Sequence, residues 1–123
     1  MTADTMFDRV LALMFSDSTE KGDLQKTYLA ALNIILAETL PNENGIRLSG
    51  EKLSVPQIVG NLADKLVYHD RVLAFIPYGV AGILMAEDDP NIATQYKGKY
   101  EAERYNCVTA RFEDVVNVYG SGL

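Results

Sequence analysis

A chain of 123 residues has room for one domain and one core. Hydrophobic residues make up 48%, too many for a disordered chain, and a net charge of −6 argues against a basic face of the kind that neutralises phosphates. The single cysteine, Cys107, excludes an internal disulfide, and Met1-Thr2-Ala3-Asp4 has neither the basic start nor the apolar run of a secretory leader, so the expectation is a water-soluble intracellular protein.

Thr5 followed by Asp8 has the spacing of a capping box, and Met6, Val10, Leu13 and Met14 then recur at helical spacing, widened by Phe7, Leu11 and Phe15. The pattern predicts a helix over residues 5–15, followed by a polar turn over 16–22. Asp23 is placed to cap a second helix over 24–40, whose face is Leu24, Tyr28, Ala31, Leu32, Ile35 and Leu36, with Pro41 just past its end. Residues 41–56 alternate apolar and polar around Ser49-Gly50 and are expected to be a long extended loop or weak β-hairpin. Residues 57–69 fit either an extended chain or a loose helical turn.

Residues 72–86 carry no charge, but Pro77 and Gly79 lie among them and the run falls short of the roughly 20 residues a membrane helix needs. One buried helix over 70–87, bent at Pro77, is favoured over a helix that begins near Pro77. Asp88-Asp89-Pro90 is a helix start, and Ile92, Tyr96, Tyr100, Cys107 and Ala110 form the stripe of a last helix over 90–111. The end of the chain, with Val115, Val116, Val118 and Tyr119 before Gly-Ser-Gly-Leu, favours an extended tail. The whole reads as mainly α: a small bundle of about four helices over residues 1–112, with a tail over 113–123. Val72, Phe75, Ile76, Val80, Ile83 and Leu84 are expected in the core with Leu32 and Ile35.

The chemistry-bearing residues give no case for an enzyme. His69 is the only histidine and lacks the company a zinc site needs. Cys107 lies on an apolar stripe, as structural cysteines do. Glu87-Asp88-Asp89 is explained by capping and the helix dipole, and has too few ligands for a calcium loop. None of the phosphate-cradling, zinc-protease or nucleophile-elbow motifs occurs. No catalytic residue, cofactor or metal is expected. Charge is uneven: residues 92–111 carry Lys97, Lys99, Arg104 and Arg111 against Glu101 and Glu103, a net +2 within a chain of −6. Unlike patches of this kind can join copies head to tail, but on charge alone an ordinary solvated face is the favoured reading.

The stretch Phe75-Ile-Pro-Tyr-Gly-Val-Ala-Gly-Ile-Leu-Met-Ala-Glu-Asp-Asp-Pro90, followed by Ala93, Tyr96 and Tyr100-Glu-Ala, resembles the head–tail connector (adaptor, or head-completion) family of tailed bacteriophages. The likeness covers about residues 24–112. It implies a virion structural protein, present in the host cytoplasm during assembly and then at the head–tail junction. There a ring of about twelve copies would sit beneath the portal protein, extend the DNA channel and offer a surface to the next tail, stopper or terminator component. DNA would pass through without sequence-specific binding, which an acidic lumen suits. By the same likeness the contact elements would be the loop, with Ile46, Arg47, Leu48, Lys52 and Leu53, and the tail, with Val115, Val116, Val118 and Tyr119. To these the charge pattern adds Lys97, Lys99, Arg104 and Arg111. The rival reading is an acidic helical regulator or DNA mimic that binds a basic protein, whose carboxylates should line one exposed face.

Overall fold

The computed structural model describes residues 1–121, with side chains through Cys107. The fold is mainly α, in the order α1 Ala3–Leu13, α2 Lys21–Glu38, α3 Leu40–Ile46, α4 Asp70–Leu73, α5 Ile76–Leu84 and α6 Pro90–Ser121. Short 3₁₀ turns occupy Ser18–Glu20 and Ser49–Glu51. Helix α5 lies at the centre, packed against α1, α2 and α6.

Helix α1 starts earlier than its sequence suggests. Thr2 is the cap, and its hydroxyl accepts from the Thr5 N–H at 3.2 Å, so Thr5 is inside the helix. The chain itself completes this end. The Ala3 and Asp4 N–H groups donate to the carbonyls of Asp64 and Leu62, both at 2.9 Å, and Thr2 bridges Lys65. The helix closes in a paired motif in which Ser16 N–H donates to Leu11 and Phe15 N–H to Ala12. That motif puts Phe15 at φ 60, the left-handed region usually held by glycine.

Helix α2 buries the predicted face of Tyr28, Ala31, Leu32, Ile35 and Leu36. Its start is Lys21, with Asp23 in the first turn and Asp17 capping the preceding 3₁₀ turn. Lys21 Nζ reaches Asp4 at 2.7 Å and Asp8 at 2.6 Å, which joins the start of α2 to the flank of α1 and holds the Lys21 ammonium above its usual range.

The expected long loop over 41–56 is corrected in its first half. Pro41 does not merely end α2; it occupies the first turn of α3, where its missing N–H has no partner to lose. No hairpin forms among the described residues, and the irregular part of the chain falls later, over residues 52–69. The single bent helix over 70–87 is also corrected. Pro77 cannot donate to the Leu73 carbonyl, the helical track breaks at Ala74 and Phe75, and α5 begins with Pro77 in its first turn. Asp89-Pro90 opens α6 as expected, with Asp89 Oδ1 accepting from Ile92 N–H at 3.3 Å.

The core holds Val72, Phe75, Ile76, Val80, Leu32 and Ile35 as predicted. Leu84 is only partly buried, and Ile83 is 39% exposed on the outer side of α5. Two glycines permit the close approach of α5. A Cβ on Gly79 would lie 2.9 Å from both Ile35 Cδ1 and the Tyr100 ring, and one on Gly82 would lie 3.4 Å from the Ala93 carbonyl. Four tyrosines fill the interhelical space with their rings and donate their hydroxyls across it: Tyr28 to Ala3, Tyr68 to Leu36, Tyr96 to Leu13 and Tyr100 to Glu38, all within 2.6–2.8 Å.

The bounds of α6 take in residues 112–121, which the sequence reading leaves extended. Side chains from residue 108 onward, and residues 122–123 entirely, lie outside the described residues. The expected roles of Arg111, Val115, Val116, Val118 and Tyr119 lie there with them.

Candidate functional site

The irregular segment after α3 is held by side chains in place of a ladder. Three carboxamides each form a two-bond pair with backbone. Asn44 donates to the Leu53 carbonyl and accepts from the Leu53 N–H, both at 2.8 Å. Asn33, on α2, does the same to Val59 at 3.0 and 2.7 Å. Gln57 donates to Lys65 at 2.6 Å and accepts from Val67 N–H at 2.9 Å. A primary amide presents one donor and one acceptor side by side, as a neighbouring strand would.

Leu53 and Val59 are therefore fixed; in the bow of chain between them, residues 54–58, Ser54, Val55 and Ile58 are exposed, whereas Pro56 and Gln57 are partly buried. Val55 is 69% and Ile58 80% exposed. The backbone N–H groups of Ser54, Val55, Gln57 and Ile58 have no hydrogen-bond partner among the described residues. Val55 and Ile58 are thus exposed apolar side chains on a segment held at both ends.

A second clasp holds the far end of the segment. Glu43 has no exposed surface. Its Oε2 lies 2.6 Å from Arg47 Nε and 2.7 Å from His69 Nδ1, and its Oε1 accepts from the His69 N–H at 2.8 Å. Arg47 also donates to the carbonyls of Val67 and Glu51. The only histidine is thus part of a hydrogen-bonded cluster around Glu43, and its backbone caps α4.

On the other side of α2 lies a cleft of about 690 Å³ between α2, α5 and α6. Its apolar lining includes Ile35, Ile83 and Ala86, and Glu38, Lys97, Glu101 and Arg104 line it as well. Arg104 is engaged with Glu101 at 3.3 Å and Glu38 at 3.6 Å, and it donates to the Glu38 carbonyl. Lys97 has no carboxylate partner among the described residues.

The structure thus separates the residues that the sequence groups as contacts. Arg47 is turned inward, its side chain 15% exposed. Ile46 and Leu53 pack on the core. Lys52 donates to the Asn44 carbonyl, and Leu48 projects into solvent. Lys97 borders the cleft, Lys99 lies 5.1 Å from the centre of the Tyr78 ring, and Arg104 is spent on its carboxylates. Sequence reasoning misses Asn33, Gln57, Glu43, Ile58 and Ile83. Only the amides in otherwise apolar surroundings gave a signal, and it does not identify their distant partners.

Among the described residues, no three His, Cys, Asp or Glu side chains gather as a metal site, and no helix is long and apolar enough to cross a membrane. Cys107 is buried. No protein-family model, curated protein or solved structure matches this chain.

Proposed function

We propose that this chain is a ring-forming head–tail connector subunit of a tailed bacteriophage, bound below the portal and extending the DNA channel. The observation that carries the reading is where the connector-like residues sit. Residues 75–90 form α5 and its exit turn, and Ala93, Tyr96 and Tyr100 lie on the side of α6 that meets it. Gly79 admits Tyr100, Tyr78 meets Tyr96 edge to face at 5.8 Å, and Asp89 starts the next helix. The residues that carry the likeness are the joint on which the bundle is built. The acidic balance supports the reading, because a net-negative wall does not hold phosphates that must slide past it.

The test is assembly. DNA-filled heads that carry the portal but lack this chain are mixed with purified protein, sedimented, and then supplied with tails. The expected result is co-sedimentation that depends on the portal, with recovery of infectious particles. A chain lacking residues 113–123 should keep its melting temperature and lose portal binding. Failure of the full chain to bind portal-bearing heads overturns the reading.

A further inference from the structure

We infer that copies of this chain join head to tail by seating the Val55–Ile58 bow of one copy in the α2/α5/α6 cleft of the next. The inference rests on the ring-forming reading above and assigns its contact.

The two surfaces are complementary and lie on different faces of one chain. The bow hangs from Asn33, whereas Ile35 lines the cleft. Two positions along an α-helix turn through roughly 200°, so α2 holds the bow on one side and the cleft on the other. Unlike faces on opposite sides pair heterologously, a contact that closes into a ring where the rotation between copies allows it and otherwise runs on as a filament. The bow is uncharged over residues 54–58 and presents Val55 and Ile58. The cleft is lined in part by Ile83 and Ala86, and Ile83 is a large apolar residue without full cover in the single chain.

Beside the two surfaces stand one carboxylate and one ammonium that can pair, although exposed Lys52 adjoins the carboxylate. Glu51 precedes the bow, is exposed, and its carboxylate has no cationic partner among the described residues. Lys97 lines the cleft with no anionic one among them. Seating the bow brings an unpaired carboxylate toward an unpaired ammonium. The other cation lining the cleft, Arg104, is already neutralised by Glu38 and Glu101 and competes little. Because the ends of the bow are fixed by Asn44 and Asn33, little chain entropy remains to be lost on docking. A second copy of the chain is the occupant committed to here.

The test uses full-length protein and sedimentation velocity across concentration and salt. Ile58→Asp and Ile83→Asp change exposed side chains, so both should keep wild-type helicity by circular dichroism. Each alone should weaken self-association by about tenfold or more. Mixed one to one, they should form pairs and nothing larger, because one variant keeps the cleft and the other keeps the bow. Glu51→Lys and Lys97→Glu should each weaken association and together restore it.

If Ile83→Asp associates like wild type while Ile58→Asp does not, the bow meets something other than the cleft and the inference fails. If both associate normally, the contact lies elsewhere, and the connector reading is untouched. A wild-type chain that stays monomeric at every concentration also overturns the contact; the connector reading then rests on portal binding alone.

Discussion

Glu43 is the residue on which the second half of the chain is hung. A carboxylate with no exposed surface is tolerable only when its oxygens are fully occupied, and here Arg47 and His69 occupy them. Removing one partner of a fully buried ion pair costs about 3–5 kcal/mol; since the His69 side chain is 46% exposed, water can compensate part of that. Glu43→Ala should therefore lower the unfolding free energy by about 2–3 kcal/mol, measured by urea titration, with hydrogen exchange rising first around Val67 and His69. A loss no larger than that of an ordinary surface change would mean the cluster is incidental. Phe15 runs the other way. Its left-handed backbone penalises any side chain and its ring is 77% exposed, so Phe15→Gly should stabilise the chain by about 1 kcal/mol. Neither residue announces itself in sequence. Glu43 reads as one more surface carboxylate, and nothing local to Phe15 signals that the helix will close just before it.

At the scale of elements, α5 is defined by what its glycines let in. Helix propensity favours alanine over glycine by about 1 kcal/mol, so Gly→Ala in a helix normally stabilises. At Gly79 the new methyl would fall 2.9 Å from Ile35 and from Tyr100, and overpacking of that sort costs about 1–3 kcal/mol. At Gly98, on α6, it would meet nothing within 4 Å. The expected outcome is opposite signs: Gly79→Ala lowers the melting temperature and Gly98→Ala raises it, compared by thermal unfolding at one concentration. The elements themselves are unequally legible in the sequence. The α2 face and the Asp89-Pro90 start can be read directly, because periodicity and capping are local. Helix α3 cannot, since Pro41 is equally an end signal for α2 and a start signal for a further helix. The break before α5 turns on a single missing N–H, and either outcome at Pro77 is compatible with the apolar run. The exposed apolar bow is legible only approximately. The alternation over 41–56 takes in Val55, but Ile58, the more exposed of the two, stands just beyond it. Their presentation depends on Asn33 and Asn44, whose pairing with Val59 and Leu53 is tertiary.

For the whole molecule, the tyrosine staples set a limit at high pH. Burial pushes the Tyr68 hydroxyl up to about 12 from its usual 10, and burial raises Tyr28 and Tyr100 further. In the unfolded chain these groups ionise near 10. Above that pH the unfolded chain has released protons that the native one retains, so stability is complete below about 10 and falls as pH climbs through the folded values. Alkaline titration should show tyrosinate absorbance from these rings rising together with loss of helical signal; early ionisation with helicity intact would contradict the burial. A different consequence comes from the bow and the cleft lying on opposite sides of α2. An assembly that repeats such a contact has no twofold axis relating its subunits across the contact, so every copy points the same way along the central axis. Its two rims are then chemically unlike, and a partner fitted to one has no equivalent site on the other. Direction along that axis would be written into each monomer before any partner arrives.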